Sequence, residues 1–355
     1  MESSLFSPIK IGAMQVKNRI FMSPMCQYSA TDGLANEWHK IHYVSRAIGG
    51  VGAVVLEATA VEPNGRISPF DLGIWNDEQK KSLEILVNSV KQYECKIGLQ
   101  LAHSGRKGSR DVPWMGGKAL SEKEGGWDIV APSPIPFDDK SQTPKAMTQL
   151  DIQNTIEHFK NAALRCVEAG FDFVEIHMAH GYLLHEFLSP LSNKRSDKYG
   201  GSFENRCRFP LEVAKSVRKI IPNGIPLFVR ISASDWAYGG WDIDQSVEFV
   251  KKLKSVGVDF TDVSSGGLVS CAQVKESYGF QTEFASRIKK ETSLPTGSVG
   301  MIVNAYQAEH TISSCQADAV FLGRALLYDP YWAIHAAKTL NCRVDLPKQY
   351  LRAIY

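Results

Sequence analysis

The sequence predicts a (β/α)8 TIM barrel. Two observations carry this expectation: a helix–turn–strand unit that recurs along the chain, and the lack of the dinucleotide fingerprint expected of an open doubly wound sheet. Helix ends run directly into apolar strands at GGVGAVVLE from Gly49, EAGFDFVEI from Glu168, SVGVDFTDV from Ser255 and SCQADAVFL from Ser314. Helical spacing precedes three of them: Ile41, Val44 and Ile48; Ile152, Ile156, Phe159 and Ala163; Val247, Val250 and Leu253. Further strands are expected at FMSPM after Ile20, at KIGLQLAH from Lys96, at PLFVRISAS from Pro226 and around Ser298 to Ile302. Alternation with helices makes the strands parallel, and about eight such units fit the length as one barrel spanning residues 1–355. In the open-sheet alternative G-x-G-x-x-G would follow a strand, but Gly49, Gly50 and Gly52 come before theirs.

Two stretches interrupt the rhythm, Ser104 to Thr148 and Gly181 to Phe203. Loops that long serve as lids or binding loops, and in a barrel they belong to the C-terminal rim, so residues 104–148 are expected to form a rim excursion. SPIKIGAMQVKNRI reads as a hairpin closing the opposite mouth, and residues 342–355 as a tail without a partner strand.

Composition narrows the partners. The chain has 355 residues, 44% hydrophobic and 22% charged, with 40 Lys+Arg against 38 Asp+Glu. That near balance offers no electrostatic footprint for nucleic acid or an anionic membrane. Seven cysteines without a C-x-x-C pair fit a reducing compartment, and the N-terminal residues show no signal sequence, so the expected location is the cytoplasm.

Period-two alternation decides which side chains enter the barrel. On FVEIHMA, Glu175 and His177 share a face with Phe173, opposite apolar Val174, Ile176 and Met178. The same count turns Gln100 inward between Leu99 and Leu101, and Arg230 inward between Val229 and Ile231. A buried guanidinium needs an anion or a polar ligand. Glu175 could meet that need in a purely structural ion pair. A cluster of Gln, Arg, His and Tyr with no second carboxylate at the rim points instead to a planar polar heterocycle.

The segment from His177 to Tyr182, with His185 beyond, allows a metal site, a set of satisfied loop histidines, or a substrate site. In the last reading His177 and His180 donate to a substrate oxygen and Tyr182, a phenol protonated at neutral pH, supplies a proton. Gly300, and Gly323 with Arg324, stand at the ends of the last two strands, where barrels often hold a phosphate.

SPMCQYSATDG from Ser23, EATAV from Glu57, LQLAHSGRKG from Leu99, VEIHMAHGYLLHEFLSPLSNKRSDKYGGSFENRCRF from Val174, VRISASDW from Val229, DVSSGG from Asp262 and FLGRALLYDP from Phe321 together resemble the Old Yellow Enzyme family. The C-Q-Y variant, the His-x-x-His pair and the closing QYLR resemble its thermophilic-like branch of NADPH dehydrogenases and ene-reductases. The resemblance implies bound FMN, transient NADPH or NADH as hydride donor, and enone or enal substrates reduced at C=C by ping-pong transfer. It implies that Ser23, Pro24, Met25 and Cys26 line the flavin, Cys26 tuning its potential. Ala58 and Gln100 would contact the ring, with Arg230 by its N1/C2=O edge and Gly300, Gly323 and Arg324 at the phosphate. Tyr28, His177 and His180 would bind the substrate carbonyl, Tyr182 would protonate, and Lys107 would lie near the mouth. The resemblance further implies a homodimer or homotetramer in which Arg352 enters a neighbouring subunit's site. Trp236 and Met178 replace the Tyr and Ala of many relatives, with consequences for substrate range. The remaining alternatives are a dienoyl-CoA-reductase-like flavin barrel, whose iron-sulfur cysteine cluster and further domains are not seen in this sequence, and a flavin-free phosphate-binding barrel enzyme.

Overall fold

A computed structural model describes residues 3–353. A hairpin, β1 (Ile9–Ile11) and β2 (Met14–Val16), leads into β3 (Ile20–Met22), β4 (Ala53–Ala60) and β5 (Lys96–Ala102). After a two-residue pair, β6 (Val130–Ala131) and β7 (Lys145–Ala146), come β8 (Phe173–Met178), β9 (Leu227–Ser232), β10 (Phe260–Ser264), β11 (Thr296–Ser298) and β12 (Ala319–Leu322). β3, β4, β5 and β8 to β12 close into an eight-stranded parallel barrel, with β12 pairing back onto β3. This is the (β/α)8 architecture the sequence predicts. Helices α1 (Glu37–Ile48), α2 (Asp77–Lys91) and α3 (Gln149–Glu168) cover its first half. The short α4 (Leu183–Leu188) lies on the rim, and α5 (Phe203–Ile220), α6 (Ile243–Ser255), α7 (Thr282–Thr292), α8 (Ala305–Ser313), α9 (Arg324–Tyr328) and α10 (Trp332–Thr339) complete the ring. Among the described residues, no helix is long and apolar enough to cross a membrane.

The strand alternation sorts the core into two packings. Outward residues such as Leu99, Leu101, Val174, Ile176, Val229 and Ile231 join the helices. Inward Phe21, Phe173, Phe228, Phe260 and Phe321 fill the lower barrel, and the hairpin's Ile9, Ile11, Met14 and Val16 close it from beneath, as expected for that segment. Successive ring centroids lie 4.4 Å apart for Phe173–Phe228 and 4.6 Å for Phe228–Phe260. Large rings on some strands demand small residues on their neighbours. Gly98 pairs with Phe173 in the ladder, and a Cβ at Gly98 would lie 2.2 Å from that ring.

Two local expectations need correction. The penultimate barrel strand occupies Thr296–Ser298 rather than Ser298 to Ile302, because its ladder partners are Thr261–Val263 and Ala319–Val320, and the chain then turns at Gly300 (φ +118°) and Met301 (φ +49°). Helix α1 forms, but Ile41 is exposed, and the buried face carries His39, His42, Tyr43, Arg46 and Ala47. Its polar groups are spent inside: the Tyr43 hydroxyl meets Glu57, and the Arg46 guanidinium donates to the Leu326 carbonyl.

Gly98→Ala should overpack the barrel floor and destabilise the chain by about 1–3 kcal/mol in urea unfolding. An unchanged midpoint would show that the phenylalanine layer has slack.

Candidate active site

Above the phenylalanines the inward residues become polar. The strand register aligns Gln100 with Glu175, and His177, Arg230 and Asp262 side by side. Gln100 Nε2 donates to Glu175 Oε1 at 2.8 Å, and Arg230 Nε stands 3.0 Å from Asp262 Oδ2. The expectation of a single carboxylate is therefore wrong: Asp262 is a second, and it is Asp262 that takes the close ion pair with Arg230. The signal was present in FTDVS, where Phe260, Asp262 and Ser264 alternate onto the inner face.

The strand end of β8 and the loop after it bring three of the expected residues together. The His177 ring lies 5.1 Å from that of His180 and 5.0 Å from that of Tyr182. His177 Nδ1 accepts from the Ala179 N–H at 3.2 Å, so its proton resides on Nε2, free to donate. His180 Nε2 meets Ser264 Oγ at 2.8 Å; when that hydroxyl donates, the His180 proton sits on Nδ1. Burial, then the charge of Arg230, holds both imidazoles well below their ordinary pKa. Burial, then Cys26 and Asp71, holds the Tyr182 phenol well above its own. At neutral pH the trio comprises two neutral imidazoles and a protonated phenol.

This loop owes its shape to residues that sequence reasoning either missed or left without a role. A Cβ at Gly181 would lie 2.2 Å from the Gly267 carbonyl oxygen, so only glycine allows the two main chains to approach. The Lys107 amine bonds the carbonyls of both His180 and Gly267 at 2.9 Å, which gives the lysine placed near the mouth a definite task. His185 accepts from the Gly181 N–H through Nδ1 at 2.9 Å and reaches Asp235 through Nε2 at 3.0 Å, with both side chains fully buried. No motif in the sequence links His185 to Asp235; only the fold does.

At the opposite wall, the Ser23 N–H extends the ladder to the Leu322 carbonyl, and the chain continues through Pro24, Met25 and Cys26. The Gln27 N–H donates to Glu57 Oε1 at 3.0 Å while the Tyr43 hydroxyl donates to Oε2 at 2.6 Å, so Glu57 anchors this segment from below. Burial pushes the Cys26 thiol up, reinforced by Asp71 and Glu57. Tyr28 takes φ +47° and presents its ring to Trp114 of the 104–148 excursion, 5.9 Å away. Ala58, Asp71, Ala102 and Tyr182 share one small cavity.

The phosphate candidates are less convergent. Gly323 is the N-cap of α9, and a Cβ there would lie 3.5 Å from Met25 Sδ. Gly300 is tied in through Gln281, whose Nε2 donates to the Val299 carbonyl at 2.9 Å. The Arg324 side chain is largely exposed and stands 3.5 Å from Glu276. Arg352 is exposed in a 3-10 turn, Lys348–Ala353, where the Tyr350 hydroxyl meets that of Tyr331 at 3.2 Å. Tail residues 343–348 line a cavity of about 570 Å³ with Lys17, Asn18 and Tyr93, at the hairpin end of the barrel. The last two residues of the tail, 354 and 355, lie outside the described residues. No group of three or more His, Cys, Asp or Glu that could hold a metal ion is found among the described residues.

Such a barrel mouth suits a planar redox cofactor and a carbonyl ligand, the equipment of an oxidoreductase. Residues 4–343 match the NADH:flavin oxidoreductase / NADH oxidase family. The chain is 49% identical over 354 residues to the NADPH dehydrogenase of Geobacillus thermodenitrificans, covering 99% of each, and 48% identical over 354 residues to that of Bacillus subtilis, again covering 99% of each. Morphinone reductase in complex with tetrahydroNAD superposes with a TM-score of 0.79 at 25% identity, covering 97% of this chain and 92% of that one. The chain belongs to the NADH:flavin oxidoreductase / NADH oxidase family, the Old Yellow Enzyme family its motifs resemble, and it is an FMN-dependent oxidoreductase. The residues fit that cofactor. Arg230 is buried with its Nε toward Asp262 and makes no hydrogen bond through its terminal amines among the described residues, and with Gln100 nearby it offers a donor set suited to the carbonyl and imide edge of a flavin ring.

Folding raises the Glu57 carboxyl from 4.5 to about 8, chiefly through burial. The native state then holds a proton that the unfolded chain releases, so this contribution to stability is full below pH 4.5 and is lost as pH rises through about 8. Glu57→Gln should shrink the loss of urea midpoint between pH 5 and pH 8.5. A drop as large as that of the parent would assign the slope to other groups.

Proposed function

We propose that this chain reduces the C=C bond of α,β-unsaturated carbonyl compounds, with NADPH as the preferred source of hydride. The observation that carries the reading is the meeting of neutral His177 and His180 with the protonated Tyr182, on the rim above Gln100 and Arg230. FMN, when bound, supplies the hydride that passes to the alkene. Ser23, Pro24, Met25, Cys26, Ala58, Gln100 and Arg230 would hold its ring, and Gly300, Gly323 and Arg324 its phosphate, for which Arg324 would exchange Glu276 for the ligand. His177 and His180 would donate to the substrate carbonyl, with Tyr28 as a third contact from across the mouth. As negative charge builds on that oxygen, the His177 N–H fixed by Ala179, and that of His180 when Ser264 donates to its Nε2, would stabilise it without reorganising. Tyr182 would deliver the proton to the carbon beside the carbonyl, a role its raised pKa and burial support. NADPH and alkene would use the one mouth in turn, which makes the kinetics ping-pong. The names of the bacterial relatives and the tetrahydroNAD held by morphinone reductase support the nicotinamide donor.

We also assign the chain to the cytoplasm, supported by its seven free cysteines, and to a homodimer or homotetramer in which Arg352 completes a neighbour's mouth. The exposure of Arg352, on a tail fixed to its own chain through Tyr350, supports that assignment.

Stopped-flow measurement of the two half-reactions tests the main reading. Tyr182→Phe should slow reoxidation by cyclohexenone about 100-fold and leave reduction by NADPH within a few fold; equal loss in both half-reactions would remove Tyr182 as proton donor. Because both histidines stay neutral, kcat/KM for the enone should lack a histidine inflexion between pH 6 and pH 8. Truncation after Leu346 should weaken self-association in sedimentation and raise KM, and no change in either would return the tail to a structural role.

A further inference from the structure

Two buried groups remain outside this chemistry. Glu175 and Asp262 both lie at zero exposure in the layer that holds Arg230. One guanidinium thus faces two carboxylates. The other groups on this layer cannot balance the second charge: Gln100 on β5 is uncharged, His177 on β8 is held neutral, Ser264 on β10 is a hydroxyl, and Phe173, Phe228 and Phe260 lie beneath. A net negative charge in a low-dielectric interior is costly, and the usual resolution is a retained proton. Geometry says where it goes. Asp262 stands 3.0 Å from the Arg230 Nε, which favours its ionised form. Glu175 has Oε1 engaged by the Gln100 amide, while its Oε2 is buried with no hydrogen-bond partner. Asp262 Oδ1 is buried without a partner as well. A hydroxyl on Glu175 supplies the donor this layer lacks, and Asp262 supplies the spare acceptor.

We propose that Glu175 is kept as the neutral acid and Asp262 as the carboxylate, so that the layer beneath the cofactor carries one retained proton and, with Arg230, no net charge. Burial, and then the charge of Asp262, pushes Glu175 up, against the smaller pull of Arg230 and Gln100. The consequence for the cofactor rests on the functional reading above. Arg230 is then half-spent on Asp262, and Asp262 becomes a positioning residue that moderates how strongly the guanidinium favours a negatively charged reduced ring.

The test uses the flavin-loaded protein with Glu175→Gln and Asp262→Asn, read by midpoint potential at pH 7 and by infrared spectroscopy in H2O and D2O. Glu57 and Glu186 are raised to about 8 and contribute protonated-acid bands of their own, so the assignment is made by difference. Expected is the loss of one carboxylic-acid carbonyl band in Glu175→Gln, and in Asp262→Asn the ionisation of that same acid at a lower pH than in the parent, since Glu175 then faces Arg230 alone. The potential should rise in Asp262→Asn at a pH where the Glu175 band persists, and move by less than a quarter as much in Glu175→Gln, which replaces one neutral group by another. No band lost in Glu175→Gln, or equal rises in both variants, would overturn the proposal. Should Asp262→Asn fail to fold, the infrared difference for Glu175→Gln still decides. A protein that never takes up FMN would sink the functional reading, yet the carboxylic-acid band remains readable in the colourless chain.

Discussion

The depth at which aromatic packing ends inside the barrel sets everything above it. An eight-stranded barrel encloses only enough space for its own side chains. Five inward phenylalanines and the hairpin beneath them occupy the lower half, and matching glycines such as Gly98 make room for the rings. The inward positions then turn polar in two register rows, Gln100 and Glu175 beside Phe228, and His177, Arg230 and Asp262 two residues further along their strands.

Electrostatics then divide the mouth by protonation state. Desolvation is the leading cause at His177, His180, Tyr182, Cys26 and Glu57, and in each it favours the uncharged form. Among these buried groups the clear charge separation is the pair of Arg230 with Asp262. A site composed of neutral donors around one compensated cation responds strongly to charge appearing on a ligand, since little water is present to screen it.

Much of this was legible in the sequence, and the failures share a cause. Strand alternation identified the inward Gln100, Glu175, His177 and Arg230 because period two survives whatever the surrounding fold. The site loop was legible from its dense motif, and the barrel from its repeating units. Helix α1 misled because Ile41 is exposed and Val44 only partly buried, while Tyr43 and Arg46 are buried through partners more than ten residues away. Asp262 was overlooked although the same alternation exposes it. His185 with Asp235, and Lys107 with the carbonyls of His180 and Gly267, depend on contacts across long sequence separation that no local pattern encodes.

Lys107 stands at the very start of the 104–148 excursion, and its amine ties together two loops that arise from different strands. Beyond that fastening the chain is largely exposed from 113 to 125, Trp114 included, before Lys194 and Arg106 take hold of Ser133 and Ile135. The fold therefore has a seam: ligand choice can be rewritten in the overhanging segment, by insertion or replacement, while the machinery for electron transfer stays in register. Diversification of a lineage built on this plan would concentrate its accepted changes past residue 107 and spare the anchored turn behind it.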